Sequence, residues 1–155
     1  MKYKILISAL PVILAASCDF GKVYEDCVRL PEEGWKHTEV ARFEAAIDDT
    51  AAECNIYVNV RNNTDYKWME LWLFVNTKSP SGKRQRDTLK VMITDERGKW
   101  LGHGRIRKFG NSLLLGRKIR FPETGVYTFD YEHGMRDDPL TGIEDVGLRI
   151  ERCKP

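Results

Sequence analysis

Apolar and polar residues alternate along several short segments of this chain, and this alternation constrains the fold more than any other feature. Between Cys54 and Arg61, the apolar residues Ile56, Val58 and Val60 fall on one face and polar residues or tyrosine on the other. A period of two residues is typical of a β-strand with one buried face. The same pattern recurs in Leu89–Ile93, Tyr127–Tyr131 and Val146–Ile150.

Clusters of Gly, Pro, Asn and Asp separate these segments, and such clusters are typical of turns. Asp95–Lys99 predicts a tight hairpin turn that places Gly98 at positive φ. We also expect a turn at 109–112, between strands at 100–108 and 113–121. About eight or nine short strands predict an all-β, antiparallel β-sandwich, either a jelly roll or an immunoglobulin-like Greek key.

The first eighteen residues have the organisation of a secretory signal. Lys2 and Lys4 precede the apolar run Ile5–Leu14, and the small residues 15–17 lead to Cys18. This order resembles a lipobox, in which the signal is cut before a cysteine that is then acylated. The alternative is ordinary secretion, with Cys18 in a disulfide. On the lipobox interpretation, 1–17 is a lipoprotein signal peptide, 18–34 a lipid tether with a lead-in strand, and 35–155 the β-sandwich domain.

A protein held outside the cytoplasm has no nucleic-acid partner, and we expect no cofactor. Three cysteines remain after Cys18, namely Cys27, Cys54 and Cys153. In an oxidising compartment, either two of them pair and one stays free, or all three are reduced thiols. No CxxC motif is present, so a zinc site is not expected.

Charge is distributed unevenly along the chain. The segment Lys83–Arg120, here called the basic segment, holds 12 Lys or Arg and three acidic residues, a net charge of +9. Such a segment is either a solvated face of the sheets or a surface that attracts anionic lipid, acidic glycan or an acidic protein. Within it, we consider Arg105 and Arg107 candidate binding residues.

The sequence contains no recognisable catalytic motif, and we predict that the protein is not an enzyme. His37, His103 and His133 are far apart and lie in no HxH or HExxH pattern, so no metal site is expected. The acidic pairs at 137–138 and 144–145 are either charged turns or calcium ligands at the rim of a sandwich.

The most apolar stretch after the signal is 68–77, which predicts a central strand. Trp68 and Trp72 would share one face with Glu70, either in the core or as a binding platform, and the residues Met69, Leu71, Leu73 and Val75 would be buried on the other face. Trp100 and Trp35 lie near predicted turns and are candidates for exposed contacts.

Several sequence blocks follow the lipobox in a fixed order, and together they are specific. They are VNVRNNTDY (58–66), WMELWLFV (68–75), SGKRQRDTL (81–89), DERGKWLGHG (95–104), FPETGVYTF (121–129), Met135–Arg136 and IEDVGLRIE (143–151). In this order the chain resembles the GldH gliding-motility lipoprotein family of the Bacteroidota.

The resemblance implies an accessory lipoprotein of gliding motility, a process tied to type IX secretion, with no assigned catalytic activity. It transfers one residue role, lipidation, to Cys18. It implies a periplasm-facing anchor in the outer membrane and partners among envelope motility or secretion proteins. The alternative function is an envelope lipoprotein that binds glycan through Trp68, Trp72 or Trp100, and a hydrolase is the third.

Overall fold

The computed structural model describes residues 21–104 and 108–153, in which eight β-strands form two four-stranded antiparallel sheets. The strands are β1 (Lys22–Arg29), β2 (Ala41–Ile47), β3 (Cys54–Asn63), β4 (Glu70–Lys78), β5 (Arg84–Met92), β6 (Lys108–Ile119), β7 (Gly125–His133) and β8 (Ile143–Arg152). In this part of the chain, no helix has the length and apolar character needed to cross a bilayer.

The two sheets have the strand order of a jelly roll. The first sheet runs β1-β8-β3-β6 and the second runs β2-β7-β4-β5. All pairs are antiparallel. This arrangement confirms the predicted sandwich and selects the jelly roll over the immunoglobulin-like alternative.

The core lies between the sheets and is built from one face of each strand. The alternating sets predicted from the sequence are confirmed, because β3, β7 and β8 all turn their apolar residues inward. The fully buried side chains with the largest volumes include Phe43, Leu71, Leu73, Phe129 and Tyr131. Burying each such side chain contributes about 1.5–3 kcal/mol, so these alternating faces supply most of the stability.

The connections between strands fall at two opposite ends of the sandwich. Every strand pair is antiparallel, and successive connections therefore alternate between the ends. One end, here called the N-terminal end, carries the start of β1, the end of β8 and the short connections 48–53, 79–83 and 120–124. The other end, here called the distal end, carries the connections 30–40, 64–69, 93–107 and 134–142.

Strands of 7 to 12 residues, each rising about 3.4 Å per residue, separate the two ends by roughly 30 Å. The chain enters the described structure at the N-terminal end, and most of its longer connections lie at the distal end.

Two local predictions in the basic segment have opposite outcomes. Gly98 has φ 76° in the turn after β5, and its amide donates to the Asp95 carbonyl at 3.0 Å, which confirms that hairpin turn. The turn predicted at 109–112 is wrong, because Gly110 and Asn111 pair with Arg61 and Val60 inside β6. β6 is an edge strand, where glycine and polar residues are tolerated.

The continuous strand predicted at 100–108 is also not found within the described residues. Trp100 and His103 form isolated bridges with Thr94 and Gly110, and residues 105–107 lie outside the described residues. Val40, which precedes the first residue of β2, is 43% exposed.

The cysteines Cys27, Cys54 and Cys153 are free thiols in the structure, as in the reduced alternative. Cys54 is buried on the inner face of β3, whereas Cys27 is exposed on β1. Burial is the main cause that raises the pKa of the Cys54 thiol.

Two glycines have nearly equal φ, and comparing substitutions at them distinguishes the cost of backbone strain from the cost of a steric clash. Gly142 has φ +87°, and a Cβ there would lie 2.3 Å from the Tyr66 amide nitrogen, whereas Gly82 has φ +88° and open space around it. We expect Gly82→Ala to lower the free energy of unfolding by about 1 kcal/mol through strain alone. Gly142→Ala should lower it by at least about 2 kcal/mol more, as measured by urea unfolding. Equal losses of stability in the two variants would contradict this.

Candidate binding surfaces

Trp68 and Trp72 lie on the surface, not in the core. Trp68 is 44% exposed and Trp72 is 36% exposed. Trp72 lies on the outer face of β4, and the inward residues Leu71, Leu73 and Val75 are fully buried, as predicted. The core interpretation of the two tryptophans is therefore wrong, because the core accepts only one face of this strand. Their exposure is compatible with the binding interpretation.

Polar partners hold both indole rings. The Trp72 Nε1 donates to a Glu70 carboxylate oxygen at 2.9 Å, and Lys90 Nζ lies 2.5 Å from the other oxygen. The hydrogen bond from Lys90 is the main cause that lowers the pKa of Glu70. The Lys90 ammonium also lies 5.6 Å from the centroid of the Trp72 ring. Trp68 Nε1 donates to Asp137 at 2.9 Å, which joins it to the connection between β7 and β8.

Four of the exposed apolar side chains at the distal end lie on connected segments and are here called the distal surface, namely Trp68, Met69, Met92 and Leu101. Each of the four is more than 40% exposed. Their backbones are joined, since the Met69 carbonyl accepts the amides of Ile93 and Thr94 and the Leu101 amide donates to Ile93. Exposed methionine and tryptophan at connected loops are typical of a docking surface.

The sequence pointed to only part of this surface. Met69 was predicted to be buried, and this is wrong because Met69 precedes β4 and lies outside the alternation of that strand. Met92 and Leu101 were not singled out. The inward pattern of Leu89, Val91 and Ile93 already implied that Met92 points outward, whereas Leu101 had no such signal.

The other two tryptophans are structural. Trp35 is fully buried, and its Nε1 donates to the Glu39 carbonyl at 2.6 Å, so its prediction as an exposed contact is wrong. Trp100 is partly buried and stacks on Phe109, with ring centroids 5.1 Å apart. Arg105 and Arg107 lie outside the described residues.

A polar groove of about 660 Å³ runs along the outer face of the second sheet, near the end of β4. Arg42 makes two hydrogen bonds to Asp130, at 2.7 and 2.9 Å. Arg86 lies 3.4 Å from Glu132 and 4.3 Å from the centroid of the Phe74 ring. Four of the charges in the groove thus form two ion pairs.

Several cations of the basic segment are neutralised by acids from the rest of the chain. Arg86, Lys90, Lys108 and Arg120 form ion pairs with residues outside the segment, which are Glu132, Glu70, Glu144 and Glu53. The charge asymmetry along the sequence is therefore partly cancelled across the fold.

The residues considered for metal binding do not converge. Asp137 accepts a hydrogen bond from Trp68, Asp138 from the His37 amide, and Asp145 pairs with Arg61. Within residues 21–104 and 108–153, no group of three His, Cys, Asp or Glu side chains is arranged to hold a metal ion.

Contacts of two histidines connect the loops of the distal end. The His37 ring stacks on His133 with centroids 4.2 Å apart, and its Nε2 lies 2.8 Å from the Met135 carbonyl oxygen. His133 is 3% exposed, and within the described part of the chain neither of its ring nitrogens has a hydrogen bond of ordinary geometry. Burial first, and then the neighbouring His37, lower the pKa of His133.

An eight-stranded jelly roll with apolar side chains exposed around its loops has the features of a binding or docking domain. The model of the GldH lipoprotein family matches residues 22–150 of the chain. The chain is 32% identical to a gliding motility lipoprotein GldH homolog of Christiangramia forsetii, covering 97% of this chain and 96% of that protein. It is 29% identical to the gliding motility lipoprotein GldH of Flavobacterium johnsoniae, covering 94% of each.

The chain therefore belongs to the GldH family of gliding motility lipoproteins. The family resemblance predicted from the order of the sequence blocks is confirmed.

The lowered pKa of His133 predicts a loss of stability in acid. The unfolded state binds more protons than the folded state once the pH falls below the ordinary value of about 6.5, and the loss continues until the lowered folded pKa is passed. We expect His133→Phe to remove this part of the pH dependence and to stabilise by about 1 kcal/mol at pH 7, since no ring nitrogen is then left unpaired. Urea unfolding at pH 5 and 7 tests this.

His103→Phe is the control for that measurement, because His103 is exposed and should leave the pH dependence unchanged. A His133→Phe variant with the pH dependence of the parent chain would contradict the prediction.

Proposed function

We propose that this protein is an acylated, non-catalytic accessory lipoprotein of the gliding motility machinery and its associated type IX secretion apparatus. Cys18 carries the lipid that anchors it in the outer membrane, and the domain faces the periplasm. The distal surface docks against an envelope protein of that machinery. The sandwich acts as a rigid spacer between membrane and partner.

The observation that carries this proposal is the separation of the chain entry from the distal surface. Cys18 precedes Gly21 by three residues, which span at most about 11 Å in any conformation. The N-terminal end of the sandwich is therefore held near the membrane. Trp68, Met69, Met92 and Leu101 lie at the opposite end, roughly 30 Å further out, where a protein partner can reach them.

Membership of the GldH lipoprotein family supports the lipid anchor and the motility role. The periplasm-facing orientation rests on the sequence after Cys18, which contains no acidic cluster of the kind associated with surface display in this phylum.

A glycan-binding role is the second candidate, and the exposed Trp72 favours it, since an aromatic ring can stack on a sugar. Two contacts weaken it. The Lys90 ammonium already lies near the face of the Trp72 ring, and in the neighbouring groove Arg42 and Arg86 are already paired with Asp130 and Glu132. A sugar would have to displace these contacts. A shift of tryptophan emission on adding peptidoglycan fragments, lost in Trp72→Ala, would favour this role.

The anchor is tested by Cys18→Ala in the native host, beside deletion of the gene. We expect both strains to lose colony spreading, because an unacylated chain leaves the membrane surface where its partner acts. Membrane fractionation and mass spectrometry of the processed N-terminus show whether the parent chain is acylated. Normal spreading of Cys18→Ala would contradict the requirement for an anchor.

Docking through the distal surface is tested by the double variant Met69→Glu, Leu101→Glu. Both side chains are exposed, so we expect little change in stability, but charges on an apolar contact should reduce spreading by at least about tenfold. Val126→Glu is the matched control, because Val126 is 51% exposed and lies at the N-terminal end of the sandwich.

Equal spreading of the double variant and the control, at equal protein level in the membrane, would remove the distal surface as the docking site. Loss in both variants would place the requirement elsewhere on the domain.

A further inference from the structure

The N-terminal end of the sandwich contains a cleft between the two sheets. It has a volume of about 470 Å³, within the range of ligand pockets, and lies where the edge strands β5 and β6 flank the interior. Its inner wall is mostly apolar and is formed by Ile56, Leu115, Ile119, Phe121, Tyr127 and Phe129. Ile119 is 39% exposed at the mouth of the cleft.

The cleft exists because β6 departs from regular pairing at this end. The register between β3 and β6 shifts on both sides of Ile56, and Lys118 takes φ 52°. Such irregularities bend an edge strand and increase its twist. Gly116 keeps the bend compact, since a Cβ there would lie 2.7 Å from Ile119.

Two cations, Lys83 and Arg84, line the cleft where β5 begins. Arg117 and Lys118 directly precede the lining residue Ile119 in the sequence and are not lining residues themselves. All four are exposed, and none has a carboxylate within 4.0 Å in the described part of the chain. They contrast with the paired cations of the basic segment, such as Lys90 and Lys108.

Two acids also lie at the cleft, and both are engaged in hydrogen bonds. Asp87 accepts from Gln85 at 3.0 Å, and Glu123 accepts from Ser81 at 2.8 Å. Lys83 adds a favourable charge near Glu123. The two lining cations balance these two acids, so the excess of positive charge beside the cleft comes from Arg117 and Lys118, which precede Ile119.

We propose that this cleft is a phospholipid-binding site that takes an anionic lipid from the membrane beside the anchor. The cations around the mouth receive the phosphate group, and the apolar wall receives a segment of one acyl chain. The inference rests on the proposed anchoring at Cys18 for its orientation. Charge complementarity and the position of the cleft at the membrane-proximal end identify the lipid as the occupant.

A bound lipid would act as a second point of attachment. Attachment at Cys18 alone would leave the orientation of the domain on the membrane undetermined. A cleft engaged with a lipid at the β5–β6 side fixes the orientation of the sandwich, so the distal surface points away from the membrane.

The test uses the full mature chain with Cys18→Ser, so that no acyl anchor contributes to binding. Its sedimentation with vesicles of phosphatidylcholine and phosphatidylglycerol is compared with that on phosphatidylcholine alone. Each cation near an anionic surface contributes about a fivefold gain in affinity, so Lys83→Gln, Arg84→Gln, Arg117→Gln together should weaken binding by about 100-fold. The control Lys36→Gln, Lys67→Gln, Arg136→Gln removes the same charge at the distal end and should have little effect.

Brominated acyl chains, which quench tryptophan at short range, test the orientation. Trp35, Trp68, Trp72 and Trp100 lie towards the distal end, so their emission should not change on binding. The additional emission of Ile119→Trp, at an exposed position in the mouth, should be quenched.

Equal weakening by the two triple variants, no preference for the anionic vesicles, or quenching of the four native tryptophans would overturn the proposal. So would an unquenched Ile119→Trp, because the acyl chain would then not reach the cleft. These results do not depend on acylation, so they are distinguishable from a failure of the Cys18 anchor in the host.

Discussion

Burial of one face of every strand between two sheets is the constraint on which the rest of this structure depends. Once Leu71, Leu73 and Val75 are committed to the core, the next residue along β4 must lie outside, which is why Trp72 is exposed. The jelly-roll order then distributes the connections between two ends. The outward positions of Trp72 and Met92 follow from the alternation within β4 and β5.

The two ends differ in chemistry as well as in loop length. The N-terminal end carries an apolar cleft with unpaired cations at its mouth, whereas the distal end exposes methionine and tryptophan. Ion pairs neutralise several cations of the basic segment, with Lys90 and Lys108 as examples. Such pairs at exposed positions contribute little stability, about 0–1 kcal/mol each. Because these pairs cancel charge where they form, the remaining positive potential lies at the cations that have no acidic partner.

The period-two segments and the order of the sequence blocks were enough to predict the sandwich and the family. The strand order was not predictable, because pairing between distant strands leaves no mark in one sequence. The turn predicted at 109–112 failed because an edge strand such as β6 tolerates Gly110 and Asn111. The predictions for Trp35 and Met69 were wrong because both residues lie outside regular strands, where alternation no longer indicates which way a side chain points.

The surfaces were less predictable than the core, because exposure near loops depends on contacts between segments far apart in sequence. Trp35 is buried by its position against Leu140, with which it exchanges two backbone hydrogen bonds of 2.8 Å. Nothing near Trp35 in the sequence encodes that contact. Lys83 and Arg84 at the cleft and Arg117 and Lys118 beside it likewise come from two parts of the chain that meet only in the fold. The sequence therefore indicated a basic segment but not which of its charges lack a partner. Pairing in three dimensions, rather than the number of charges, therefore decides where a basic sequence of this kind can act.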